Sequence, residues 1–89
     1  MVRKLLTISG EVSEGGIRYF AQMQSSLFKL TGFAKRGSHG TIVIEVQGEE
    51  ENIKQFIDKV RQGNGFYKVS EIKEENIDII KDESIFAIK

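Results

Sequence analysis

Apolar residues recur at helical spacing twice in this chain, and each helical stripe is flanked by stretches that alternate instead. Ile53, Phe56, Ile57 and Val60 fall on one face of a helix. Glu49, Glu50 and Glu51 and a capping candidate, Asn52, precede them, and Arg61 and Gly63 mark the far end. From Arg18 to Leu30, Phe20, Met23, Leu27 and Leu30 form a second stripe, with Gly32 as its stop. Lys4 to Ser9, with Leu6 and Ile8 at alternate positions, reads as a strand ended by Gly10. Phe33 to Arg36 is a short strand, Gly37-Ser38-His39-Gly40 a turn, and Thr41 to Gln47 a strand in which Ile42, Ile44 and Val46 alternate with Val43, Glu45 and Gln47. Val69 to Lys73, extending toward Ile80, is irregular or weakly extended, and Ser84 to Ile88 closes the chain as an apolar strand.

The order strand, helix, strand, strand, helix, strand is that of two βαβ halves. It predicts an α+β, ferredoxin-like sandwich (βαββαβ) with a four-stranded antiparallel sheet and both helices on one face. Phe20, Met23, Leu27, Phe56, Ile57 and Val60 are expected to meet Leu6, Ile8, Ile42, Ile44 and Val46, or the residues that alternate with them, in a single core. The 89 residues, without proline or a low-complexity tract, fit one domain spanning 1–89.

Composition narrows the function. Thirteen basic against thirteen acidic side chains leave no net charge, so no long-range field attracts nucleic acid or an anionic membrane. Any anion site must be local. The lack of cysteine removes thiol nucleophiles and cysteine-ligated metals and fits a reducing interior. No apolar run approaches a signal peptide or a membrane span, so a cytoplasmic protein is expected. With His39 the only histidine, a histidine-rich metal site is excluded. Glu49-Glu50-Glu51 is explained by the helix dipole without a metal, and no cofactor is expected.

The local anion site is the loop before the first helix. Glu14-Gly15-Gly16-Ile17-Arg18 puts flexible backbone, unpaired helix N-terminal amides and a guanidinium together, the elements that surround and grip phosphate oxygens. A bidentate grip needs a planar fork, which lysine lacks.

Gly10, Val12, Gly16, Ile17 and Arg18, then Leu30-Thr31-Gly32-Phe33, Gly40, Gln47-Gly48 and the late Phe86 together resemble the acylphosphatase family over nearly the whole chain. The resemblance implies a small cytoplasmic enzyme that hydrolyses carboxyl-phosphate bonds without metal or cofactor. It also implies a small acyl phosphate, inorganic phosphate or sulfate as the bound ligand, no nucleic acid or membrane partner, and a monomer. Family members carry Val-Gln-Gly-Val-Gly-Phe-Arg before the first helix. Here Val12, Ser13, Glu14, Gly15, Gly16, Ile17 and Arg18 stand in that place, so Arg18 takes the position of the phosphate-holding arginine and Glu14 replaces a glycine.

The family's second functional residue, an asparagine that orients the attacking water, ends a segment reading Gly-Trp-Val-Arg-Asn. This chain reads Gly32-Phe33-Ala34-Lys35-Arg36, so Arg36 stands where asparagine is expected. A guanidinium donates hydrogen bonds but accepts none, so it cannot take a proton from water. It can strengthen ground-state binding of the phosphoryl group, which lowers a dissociation constant without raising turnover. Reduced activity is the expectation. The alternatives are an inactive member that binds phosphate or a protein through the same loop, and an RNA-binding domain of the same strand order. His39 and Glu14 are the remaining candidates for a general base.

Overall fold

The computed structural model describes every residue from Met1 to Lys89. Strands β1 (Val2–Glu11), β2 (Thr31–Arg36), β3 (Ile42–Gly48), β4 (Lys68–Ile77) and β5 (Phe86–Ile88) alternate with helices α1 (Ile17–Leu27) and α2 (Glu50–Gln62), and a short 3-10 turn, Ser38–Gly40, joins β2 to β3. The sheet order is β4-β1-β3-β2-β5. β1 pairs antiparallel with β3 and β4, and β2 antiparallel with β3, but β5 runs parallel to β2. The sheet is therefore five-stranded and mixed, where four antiparallel strands were expected.

The fourth strand of the ferredoxin-like core is the segment that reads from sequence as weakly extended. Lys68–Ile77 pairs along most of β1, from Arg3 opposite Ile77 to Glu11 opposite Lys68, with a bulge between Ser9 and Gly10. Half of its side chains are charged because β4 is an edge strand, where lysines and glutamates protect unpaired backbone groups from further pairing. The backbone ladder holds it, and a ladder leaves no apolar signature. The short apolar strand at the end of the chain instead extends the opposite edge.

One face of the sheet carries both helices and the core. Leu6, Ile8, Ile42, Ile44 and Val46 are buried there against Ile53, Phe56, Ile57 and Val60 of α2, as their spacing predicts. α1 is rotated from its expected phase: Met23 and Leu27 are exposed and Phe20 is only half-buried, whereas Ile17, Ala21, Gln24 and Ser25 are buried. Ala21 and Ser25 are one turn apart and small, so the helix can lie close on its neighbours. A count of large apolar residues picks the other face.

α1 also ends earlier than expected. Lys29 is left-handed (φ 57°), Leu30 N–H donates to Ser25 O at 2.8 Å, and Lys29 N–H donates to Ser26 O at 3.4 Å, a C-terminal cap made without glycine. Gly32 is therefore no helix stop. It lies within β2 at φ 144°, where a Cβ would sit 1.8 Å from the Glu45 carbonyl oxygen of β3. α2 begins at Glu50 after Glu49, so Asn52 is inside the helix and not its cap, and Gly63 follows the last turn as expected.

Since β4 and β5 lie at opposite edges, the chain between them must cross the sheet. It does so on the face turned away from the helices, where Arg3, Glu45 and Gln47 project. Gln47 Nε2 donates to Ile80 O at 3.0 Å and its Oε1 accepts Ile80 N–H at 2.9 Å. Arg3 donates from Nη1 and Nη2 to the two oxygens of Glu83 at 2.8 and 3.2 Å, and from Nε to Glu45 at 2.9 Å. Burial alone would lower the Arg3 titration, but the two carboxylates raise it above the ordinary value. Burial likewise pushes Glu83 up, and the Arg3 hydrogen bonds and charge outweigh it, so Glu83 titrates below its ordinary value. No helix is long and apolar enough to cross a membrane.

Candidate functional site

The loop between β1 and α1 and the end of β2 come together because β1 and β2 flank β3. The two strands bring their Gly10–Arg18 and Arg36 ends to the same end of the sheet. There they enclose a cleft of about 230 Å³. Val12, Ile17 and Ile42 are buried at its floor, and Glu14, Arg18 and Arg36 bring charge to it. Sequence positions 14 to 18 and 36, read as one site from separate motifs, thus share one concavity.

The backbone around Gly16 leaves its amides without a partner in the chain. Gly15 and Gly16 are both at positive φ, 98° and 76°, and Gly16 begins α1 with no side-chain cap. The first hydrogen bond closing the helix runs from Phe20 N–H to Gly16 O at 2.9 Å, and no amide from Ser13 to Tyr19 donates to a loop carbonyl. Those N–H groups and the positive end of the helix dipole remain available. From behind, Asn64 of the turn between α2 and β4 donates from Nδ2 to Gly15 O at 2.8 Å.

Arg18 is half-buried and donates from Nη1 to the main-chain oxygen of Lys89 at 3.1 Å. One of its five donors is thereby used to hold the guanidinium, and the rest of the planar fork is free. Arg36 is exposed at the last position of β2 and makes no ion pair. Glu14 is exposed, so water weakens its repulsion toward a bound anion from the roughly 4 kcal/mol that two charges feel at 4 Å and an effective dielectric of 20.

His39 does not join this site. It sits exposed in the 3-10 turn at φ 57° and is absent from the cleft lining, because the turn carries the chain away from the loop before β3 returns. Glu14 does line the cleft, which leaves it the nearer of the two base candidates. Sequence reading missed Asn64 and the main-chain oxygen of Lys89. The Gly63-Asn64-Gly65 run is a visible turn signal, but its contact with Gly15 spans 49 residues and has no local trace.

Besides a depression of about 270 Å³ bordered by Lys4, Lys54, Arg61 and Glu74, two larger ones lie elsewhere. One, of about 420 Å³, borders Arg3, Glu50 and Ile79, and its guanidinium is already committed to Glu45 and Glu83. The other, of about 510 Å³, borders Gln22, Lys29 and Ser84 at the C-terminal end of α1, where backbone carbonyls repel anions. Neither combines a glycine loop with two guanidinium groups.

A family model described as Acylphosphatase matches residues 4–88. An acylphosphatase of Clostridium perfringens is 40% identical over 87 residues, covering 98% of both chains, and one of Clostridium beijerinckii is 38% identical over 89 residues, covering 100% of this chain and 99% of its own. The crystal structure of acylphosphatase from Bacillus subtilis superposes with a TM-score of 0.93 at 29% identity, covering 100% of this chain and 99% of that one.

Proposed function

The chain belongs to the acylphosphatase family, whose members hydrolyse acyl phosphates, and from that membership we propose that it binds the phosphoryl group of a carboxyl phosphate in the cleft between the Glu14–Arg18 loop and Arg36. The single observation that carries this reading is the convergence of unspent helix N-terminal amides, Arg18 and Arg36 on one concavity. The amides of Gly15, Gly16, Ile17 and Arg18 take phosphoryl oxygens, and the Arg18 fork, steadied by Lys89, takes two of them.

The chemistry asks little of the protein beyond this. The leaving group is a carboxylate, whose conjugate acid has a pKa of about 4, so it departs without a general acid. Water attacks phosphorus in line with the departing oxygen, and the enzyme contributes positioning and charge stabilisation as negative charge spreads over the equatorial oxygens. The products are carboxylate and inorganic phosphate.

Arg36 sets the rate. It adds positive charge beside the phosphoryl oxygens but offers water no acceptor, so it strengthens binding without aiming the nucleophile. The reading is a slow hydrolase with firm phosphate binding, acting as a cytoplasmic monomer, to which a cysteine-free composition is suited. The same observation favours a second reading, in which the cleft only binds phosphate-bearing ligands.

Release of phosphate from acetyl phosphate above the spontaneous rate separates the two. Expected are wild-type turnover below about 1 per second, loss of activity in Arg18→Ala, and a gain of about tenfold or more in Arg36→Asn. Wild-type turnover inside the ordinary range of about 1 to 1,000 per second would overturn the role given to Arg36. Phosphate binding without any turnover in either Arg36 form establishes the second reading.

A further inference from the structure

A peptide unit is planar and trans, so its carbonyl and its amide hydrogen point in opposite directions. The carbonyl of Gly15 and the N–H of Gly16 belong to one such unit. Glycines on both sides of it, at φ 98° and 76°, make its rotation cheap, and a turned unit presents a carbonyl oxygen where an anion needs a hydrogen. Something must hold it.

Asn64 is built to do so. Its Nδ2 donates to Gly15 O at 2.8 Å while its Oδ1 accepts Phe66 N–H at 2.8 Å. Only one orientation of the amide satisfies both, since the oxygen cannot donate and the nitrogen cannot accept. The turn that carries Asn64 is anchored on each side. Gly63 N–H donates to Lys59 O at 3.0 Å, and the buried Tyr67 hydroxyl donates to Val60 O at 2.7 Å. The turn also abuts the loop directly, because a Cβ on Gly15 would lie 2.3 Å from Phe66 O.

Asn64 does not line the cleft. We propose that it is a positioning residue: by drawing the Gly15 carbonyl toward the α2–β4 turn it aims the Gly16 amide hydrogen into the cleft, toward a phosphoryl oxygen. This rests on the reading that the cleft binds the phosphoryl group.

The test follows backbone amide NMR signals during titration with inorganic phosphate, for wild type, Asn64→Leu, Asn64→Asp and Arg18→Ala, alongside acetyl phosphate kinetics and thermal denaturation. Asn64→Leu keeps shape and neutrality while losing both hydrogen bonds. Asn64→Asp keeps the acceptor for Phe66 N–H and loses only the donor, so the turn survives if the leucine variant does not fold. In wild type the Gly16 amide moves on adding phosphate. In both Asn64 variants that shift disappears, the dissociation constant for phosphate and the KM rise about tenfold, the worth of one hydrogen bond to a charged ligand, and kcat stays within about threefold. Phosphate affinity within about twofold of wild type in a folded Asn64 variant, with affinity lost in Arg18→Ala, overturns the positioning role and leaves the site reading intact. If phosphate moves no amide from Gly15 to Arg18 in wild type, the site reading fails and the role of Asn64 fails with it.

Discussion

Gly15 and Gly16 are neighbours with different reasons for being glycine. A Cβ on Gly16 meets nothing within 4 Å, so its requirement is the left-handed φ of 76° alone. A Cβ on Gly15 meets the Phe66 carbonyl, a backbone atom that cannot step aside. Gly16→Ala should therefore cost about 1–2 kcal/mol, the ordinary penalty for a left-handed L-residue. Gly15→Ala should force the loop off the α2–β4 turn, break the Asn64 contact and lose phosphate affinity. Thermal denaturation and phosphate titration of the two variants check the contrast, and equal behaviour would contradict it. Arg18 shows a similar division of labour. One donor goes to Lys89 O and the others are unpaired on a side chain that lines the cleft, so Arg18→Lys should keep the fold and weaken phosphate binding at least tenfold, since an ammonium cannot serve both with planar geometry.

Among the elements, the least expected is the segment from Asp78 to Ile85 that crosses the back of the sheet. It has no regular structure of its own; Arg3 and Gln47, which face each other across β1 and β3, hold its middle, and Gly32 N–H donates to Ile85 O at 3.0 Å at its end. Arg3 keeps 1% of its surface, so Arg3→Met leaves Glu83 and Glu45 without their partner and should cost about 3 kcal/mol in denaturant unfolding. The same pair has a pH signature. Glu83 is held below its unfolded value, so its contribution is complete above the ordinary carboxylate range, near pH 4.5, and is lost as pH falls through the depressed folded value. The stability gap between wild type and Glu83→Gln should be present at pH 7 and close in acid. A gap that persists unchanged at pH 2 would show that the pair does not hold the crossing segment. β4 teaches the complementary point: its backbone pairs along β1 while its exposed side chains keep the edge from aggregating, so charge that looks like loop is compatible with strand.

For the molecule as a whole, core and cleft are joined through the end of the chain. Phe56 is fully buried and its ring lies 6.2 Å from that of Phe86. Phe86 opens β5, Lys89 N–H donates to Ala34 O at 2.8 Å, and Lys89 O holds Arg18. Phe56→Ala should cost about 3–5 kcal/mol, which in a domain of this size lowers the melting temperature by roughly 4–8 °C per kcal/mol and takes much of a marginal stability. In the folded fraction, phosphate affinity should fall as well, since a loosened β5 releases the Lys89 oxygen that steadies Arg18. A melting temperature within about 5 °C of wild type would contradict the central place given to this ring. Legible in the sequence were the element order through α2, an apolar strand around Phe86, the phase of α2, the alternating strands β1 and β3, and the pairing of Arg18 with a glycine loop, because periodicity and turn chemistry are local and each residue carries its own share. Arg36 was legible too, as a departure from a family pattern. Packing across the chain sets which face of α1 is buried, makes Lys68–Ile77 a strand, sends the last strand to the far edge, and brings Asn64 and Lys89 into contact with Gly15 and Arg18. Each of these depends on a partner dozens of residues away, and a hydrogen bond or close packing across that distance leaves no mark on the spacing of either partner.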